Sequence, residues 1–281
     1  MSLLVTTEQL ARHLADPEWM IFDTRHDLMD TSKGPREYAQ GHIPGAIFRS
    51  IDDDLSAAKT GRNGRHPLPS QQAFSEQMAA LGATRGKQFV IYDGTGGMYA
   101  ARLWWMLRWI GAGRVALLDG GFAKWAAEAR PATTDVPVTR PAPNDFTPVA
   151  GLVVDAGFVL AHAQDSAHAL VDARAAERYR GDVEPIDPVA GHIPGAVNRF
   201  WQKNLAADGT FKTAAELRAE YGQLLAARPA SSLVHQCGSG VTACHNLFAM
   251  ELAGLSGSKL YPGSWSEWVA DPNLPVARGE A

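Results

Sequence analysis

The chain has 281 residues, 46% hydrophobic and 20% charged, with a formal net charge of −4 and a pI near 6.1. That length suits about two ordinary domains, and the mild acidity excludes a general electrostatic drive toward nucleic acid or anionic membranes. Cys237 and Cys244 are the only cysteines; they are too few for a disulfide framework and lack the paired spacing of a zinc site, which points to a reducing, cytoplasmic setting.

The amino-terminal stretch MSLLVTTEQLARHLADPEWM has neither a basic start nor a long apolar core, so no signal peptide is expected. WMIFDTR reads as a buried strand ending at Arg25, and GHIPGAIF follows as a turn from Gly41. SQQAFSEQMAALG reads as a helix closed by Gly82, QFVIYD as a strand ending at Asp93, and RVALLDG as another strand. MYAARLWWMLRWI carries Arg102 and Arg108 and is too short to cross a bilayer, so it reads as a buried helix. RPATTDVPVTRPAPNDFTPVA, rich in Pro and Thr, reads as an extended linker.

Past the linker the pattern recurs. GHIPGA returns at Gly191, 150 residues after Gly41, and HALVDAR ends at Arg174, 149 after Arg25. LVHQCGSGVTACHNL sets Cys237 144 residues after Asp93, and LYPGSWSEW ends at Trp268, 143 after Trp125. Four blocks in one order imply two copies of one domain, with a period far too long for a solenoid. The expected limits are 1–130 and 150–281, with 131–149 as linker. Strands such as HALVDAR, SLVHQ and SKLYPG alternate with helices such as TAAELRAEYGQLLA, so each copy is expected to be α/β, a mainly parallel sheet flanked by helices. Ligands of such sheets gather at the carboxyl ends of the strands, and Cys237 sits at one such end.

The loop from Cys237 to Thr242 opens a helix. Successive backbone N–H groups there, with Gly238 and Gly240 allowing a tight curl, make an anion cradle and favour a thiolate. A phosphatase of the tyrosine-specific kind needs an arginine six residues after its cysteine, and here that residue is Ala243. Cys244 falls later in the helix and reads as core packing. In the first copy Asp93 holds the cysteine's place, so that loop carries no thiol.

The tandem repeat, GHIPGA in both halves, and CGSGVTAC resemble the rhodanese superfamily, and the resemblance covers nearly the whole chain. It implies a sulfurtransferase whose second copy alone is catalytic. Cys237 would become a persulfide, and the amides of Gly238, Gly240, Val241 and Thr242 would stabilise it. No cofactor is implied. The partners implied are a small-molecule sulfur donor and an acceptor such as cyanide or a thiol, reduced thioredoxin being one example, with no role for nucleic acid or membrane. The uncharged CGSGVT loop resembles that of members using 3-mercaptopyruvate, whereas members using thiosulfate usually carry basic residues after the cysteine. Thiosulfate turnover on the same fold, and a persulfide carrier with little small-molecule turnover, stand as alternatives.

The resemblance also implies a proton relay. Ser239 matches the family's serine, His66 in HPLP its histidine, and Asp52 in SIDDDL aligns best with its aspartate, with Asp53 or Asp54 as alternatives for that place. Arg178 falls at the place of a substrate-binding arginine that can grip a carboxylate by two bonds. Ile186 occupies the place of a second such arginine, and Arg180 is the expected compensation. His42 and His192, and the pairs Asp23–Arg25 and Asp172–Arg174, recur in both copies and are assigned to architecture. Trp265 and Trp268 are assigned to core.

Overall fold

The computed structural model describes residues 2–280, so the outermost domain limits, 1 and 281, lie outside the described residues. The first copy comprises β1 (Leu4–Val5), α1 (Thr7–Arg12), β2 (Trp19–Asp23), α2 (Lys33–Gln40), β3 (Ala46–Phe48), α3 (Gln71–Ala80), β4 (Gln88–Tyr92), α4 (Ala100–Trp109), β5 (Arg114–Leu118) and α5 (Gly121–Ala127). The second comprises α6 (Ala156–His162), β6 (Ala169–Asp172), α7 (Ala176–Arg180), β7 (Ala196–Asn198), α8 (Ala214–Leu225), β8 (Leu233–Gln236), α9 (Ala243–Leu252), β9 (Lys259–Leu260) and α10 (Ser264–Trp268).

The first sheet runs β1-β5-β4-β2-β3 and the second β7-β6-β8-β9, every pairing parallel. A parallel bridge from Val153 to Leu260 stands in the second copy where β1 meets β5 in the first, so the two sheets share one winding. The central strands explain the sequence signal. Every residue of β4 and β8 is buried, as expected for strands covered by helices on both faces. α4 and α9 are buried around most of their surface, because each opens from a central strand into the core. α1 and α8 begin with capping boxes, Thr6 with Gln9 and Thr213 with Glu216, which satisfy backbone N–H groups at both starts.

The compact units are not simple halves. The first takes the chain to Ala57, then Pro69–Ala150 and Ala207–Phe211; the second takes Ala58–Leu68, Gly151–Ala206 and Lys212 onward. The Pro- and Thr-rich stretch runs as extended chain on the first unit. Ala142 N donates to Ala79 O, Val149 N to Trp109 O, and Thr133 bridges His42. The segment 58–68, which carries His66, belongs to the second unit.

The repeated architectural motifs form twice. Asp23 and Asp172 are fully buried, and each is gripped by the arginine two residues on, Arg25 and Arg174. His42 Nδ1 lies 2.8 Å from Tyr38 O and His192 Nδ1 2.8 Å from Tyr179 O, each imidazole stacked on that tyrosine. Trp265 and Trp268 are core residues of the second unit.

Candidate active site

Cys237 follows β8 directly and is 2% exposed. The loop from Cys237 to Thr242 curls back to start α9, with Thr242 as its cap residue. Gly240 makes the curl possible. Its φ is +76°, and a Cβ there would stand 2.3 Å from Pro262 O, so a side chain would be both strained and in collision. Outside the curl the loop is braced by the first turn of α10. Trp265 N donates to Cys237 O at 3.0 Å, Ser266 N to Gly238 O at 2.9 Å, and Cys237 N to Ser264 Oγ at 3.1 Å. Inside, the N–H groups of Gly238, Ser239, Val241 and Thr242 donate to no acceptor among the described residues. Cys244 is fully buried and its Sγ donates to Gly240 O at 3.3 Å.

The first copy shows what such a ring of amides holds. Asp93 Oδ1 accepts from Thr95 N and Gly97 N at 2.8 and 2.9 Å, and Oδ2 from Tyr99 N and Ala100 N at 2.7 and 2.9 Å. Four amides therefore converge on one buried anion. By the repeat alignment Thr95 and Gly97 correspond to Ser239 and Val241, whose N–H groups are free. Aspartate Oδ atoms are two bonds from Cβ, as is the outer sulfur of a cysteine persulfide. At Ser239 and Val241 the cradle that carries its own carboxylate in the first copy is thus open to a sulfur-borne anion in the second, while Cys244 N, the counterpart of Ala100 N, donates to Val241 O at 3.1 Å.

His66 comes to the loop on the segment 58–68. Gly64, at φ +80°, packs so closely that a Cβ would lie 2.9 Å from Gly263 O, and Arg65 N donates to Ser266 Oγ at 2.9 Å. The segment thus docks on the same turn that braces Cys237. His66 Nδ1 then lies 2.7 Å from Ser239 Oγ, both side chains buried. Asp52 belongs to the first unit, where Oδ2 stands 3.8 Å from His26 Nε2. Its neighbours are tied locally: Asp53 accepts from Ser50 Oγ, and Asp54 accepts from Ser50 N and forms an ion pair with Arg49.

The loop has no cation of its own, but two guanidinium groups reach it. A Cβ on Gly238 would stand 3.0 Å from Arg65 Nη2 and 3.7 Å from Nη1 and Nη2 of Arg178. Arg178 donates to Glu184 from Nε at 3.2 Å and from Nη2 at 2.7 Å, and Nη2 also reaches Asp187 at 3.1 Å. Arg65 Nη1 pairs with the other oxygen of Asp187. Burial is the largest single influence on Glu184 and opposes its charge, but the hydrogen bond and charge of Arg178, together with the backbone N–H groups of Asp187 and Ile186, outweigh it and hold the carboxyl below the ordinary glutamate value. Arg180 instead turns to Asp182 at 2.8 Å and toward Glu280 at 3.7 Å. The sequence reading passed over Arg65, although it is the residue before His66; nothing local told that its segment docks on the second copy.

A different cluster lies at the opposite, amino-terminal edge of the second sheet. There Asp165 accepts from His162 Nδ1 at 2.8 Å and sits 3.1 Å from His168 Nδ1. These hydrogen bonds, His162 first, hold Asp165 down at about 2. The three side chains have metal-ligand spacing, but lie just before β6 while Cys237 follows β8.

The chain matches the rhodanese-like domain twice, over residues 6–128 and 155–271. It is 47% identical to a probable 3-mercaptopyruvate sulfurtransferase of Pseudomonas aeruginosa, over 99% of this chain and 98% of that one. It is 34% identical to a thiosulfate sulfurtransferase of Rattus norvegicus, over 99% and 96% of the two chains. Among solved structures, the 3-mercaptopyruvate sulfurtransferase from Leishmania major superposes with a TM-score of 0.84 at 31% identity, covering 95% of this chain and 74% of that one. With the repeated sheets, the cysteine loop and these matches together, the chain belongs to the rhodanese-like family and carries two tandem copies of its domain.

Proposed function

We propose that the chain is a sulfurtransferase that takes sulfur from 3-mercaptopyruvate onto Cys237 and passes it to cyanide or a thiol, such as that of a reduced thioredoxin. The observation that carries the reading is the 2.7 Å contact of Ser239 with His66 beside an open amide cradle that begins at Cys237. In the first step the Cys237 thiolate attacks the donor's sulfur. The new S–S bond forms as the carbon–sulfur bond breaks, and the bonding pair passes to carbon as pyruvate enolate. That carbanion takes a proton from Ser239 Oγ, replenished through His66, to leave pyruvate. In the second step the acceptor attacks the outer sulfur, and the S–S pair returns to Cys237 as thiolate. The amides of Gly238, Ser239, Val241 and Thr242 would hold the persulfide charge between the steps.

Asp52 is proposed, on the family resemblance, as the carboxylate that orients His66. Thiosulfate is the second reading, favoured by the two guanidinium groups over Gly238, which suit a sulfonate as well as a carboxylate. Both cysteines are free and no helix among the described residues is long and apolar enough to cross a membrane; these support the cytoplasm as the proposed setting.

The test is kcat/KM for 3-mercaptopyruvate and for thiosulfate, with cyanide as acceptor, in the wild type, Ser239→Ala and Asp52→Asn. Loss of the relay should lower mercaptopyruvate turnover about 100-fold or more and spare thiosulfate, whose leaving sulfite needs no proton. Equal losses on both donors would refute the relay, and a preference for thiosulfate in the wild type would replace the donor.

A further inference from the structure

We infer that His162, Asp165 and His168 form a binding site for one divalent transition-metal ion of the zinc class, in the turn between α6 and β6. The site is independent of the sulfur chemistry proposed at Cys237. α6 ends at His162, Asp165 N donates to His162 O at 3.2 Å, and His168 immediately precedes β6. Asp165 closes the turn, its Oδ1 accepting from His168 N at 2.7 Å. Both imidazoles aim Nδ1 at that carboxylate, His162 at 2.8 Å from Oδ2 and His168 at 3.1 Å from each oxygen. The ligand atoms of the three residues lie within 4.8 Å of one another. Zinc bonds of about 2.0–2.2 Å at tetrahedral angles put ligand atoms about 3.3 Å apart. The two histidine–aspartate separations are already close to that length, so small side-chain shifts complete the site. A neutral imidazole offers Nδ1 to a metal by carrying its proton on Nε2.

The first copy shows which part of this cluster is architecture. At the repeat offset of 149, His13, Asp16 and Trp19 stand where the second copy has His162, Asp165 and His168. His13 Nδ1 lies 3.1 Å from Asp16 Oδ2, so a histidine–aspartate bracket across the turn is common to both copies. The third place differs. Trp19 lies flat on His13, ring centroids 4.0 Å apart at 5°, and its indole N–H is a donor only. In the second copy an imidazole takes that place. The two histidine rings stand 4.7 Å apart at 50°, and Phe158 packs against both, at 4.4 Å and 5.4 Å, which limits their rotation. The bracket alone accounts for two residues of the cluster and asks for no third nitrogen. The side chains of His162, Asp165 and His168 are 38%, 36% and 26% exposed, so an ion can enter and keep a water as its fourth ligand. Two imidazoles and one carboxylate suit zinc, nickel or copper, whereas magnesium and calcium need more oxygen ligands than the cluster offers.

The probe is Zn2+ itself, titrated by calorimetry into the full chain carrying Cys237→Ser, so that this thiol offers no competing ligand. One ion should bind. His168→Trp, which copies the first repeat, should weaken it at least about tenfold, a loss already usual for residues that only support a ligand. His13→Gln should leave the affinity unchanged, and Mg2+ in large excess should not displace the zinc. Co2+ in place of Zn2+ should give visible d–d absorption in the parent and none in His168→Trp. Absence of saturable binding, equal affinity in the parent and His168→Trp, a loss as large in His13→Gln, or displacement by Mg2+ would each overturn the site. Far-UV circular dichroism checks the fold of each variant. Should His168→Trp unfold, His168→Ala removes the same nitrogen without the bulk and decides the matter by the same titration.

Discussion

Asp93 gives the sharpest check on the cradle. Its two oxygens each accept two backbone N–H groups, and the side chain is fully buried. Asp93→Asn keeps the shape but turns one acceptor into an NH2 donor. Whichever way the amide is turned, two of the four N–H groups then face another donor. Leaving two buried donors unsatisfied at about 1–3 kcal/mol each costs roughly 2–6 kcal/mol, a large share of the about 5–15 kcal/mol that holds a domain together. Urea unfolding followed by far-UV circular dichroism measures it directly. The mirror experiment is Cys237→Asp against Cys237→Asn. The aspartate should fill the vacant ring in the second copy, giving a protein without transferase activity that is about 2 kcal/mol more stable than the asparagine variant. An Asp93→Asn loss below about 1 kcal/mol, or equal stability of the two Cys237 variants, would refute the equivalence of the two loops.

Two further outcomes follow from named contacts. Gly240→Ala puts a Cβ 2.3 Å from Pro262 O at φ +76°; the loop must open, and kcat/KM should fall at least about tenfold with a loss of about 1–3 kcal/mol in urea stability, near-wild-type values for both being the contrary result. His235 lies fully buried on β8, and its pKa is lowered to about 3, first by burial and then by the charge of Arg199. The folded state thus binds fewer protons than the unfolded one between that value and about 6.5, so stability is full above that window and falls as pH drops through it. Roughly 2–3 kcal/mol should be gone by pH 4.5, and His235→Leu should flatten that slope; identical urea midpoint shifts between pH 7.5 and 4.5 in both proteins would refute the assignment.

What was readable in the sequence was what is local. The buried runs QFVIY and LVHQ announce central strands because both faces are covered. Cys237, Gly238 and Gly240 announce a cradle because strand, curl and helix start adjoin in the chain. Ser239 and His66 were paired through the family resemblance, and the 2.7 Å contact now joins them. Arg65 could not be read in this way. GRNGRHPLP looks like any polar loop, and the charge it delivers depends on 58–68 leaving the unit of its neighbours and docking on the turn at Ser266. Arg180 shows the converse. It shares a helix with Arg178, two residues on, but its side chain turns to Asp182, since residues two apart on a helix do not share a face.

The two loops also show how an empty cradle stays shaped. In the first copy the occupant is part of the chain, and four amides are tied down from inside by Asp93. In the second no side chain fills the ring among the described residues, so rigidity has to come from outside it. Both loops share one brace, Phe122 N to Asp93 O at 2.8 Å and Trp265 N to Cys237 O at 3.0 Å. The catalytic loop adds Ser266 N to Gly238 O, and Cys237 N to Ser264 Oγ. Ser264 stands at φ +54°, where the first copy has Gly121 at +57°. A serine in that region costs about 1–2 kcal/mol over glycine, and glycine has no hydroxyl to accept the Cys237 N–H or to donate to Tyr261 O. Strain at Ser264 is the consequence of fixing the backbone of Cys237 while leaving the amides beyond it unoccupied. A loop held in this way meets each arriving anion with its donors already aimed, so little reorganisation is left for the transfer step.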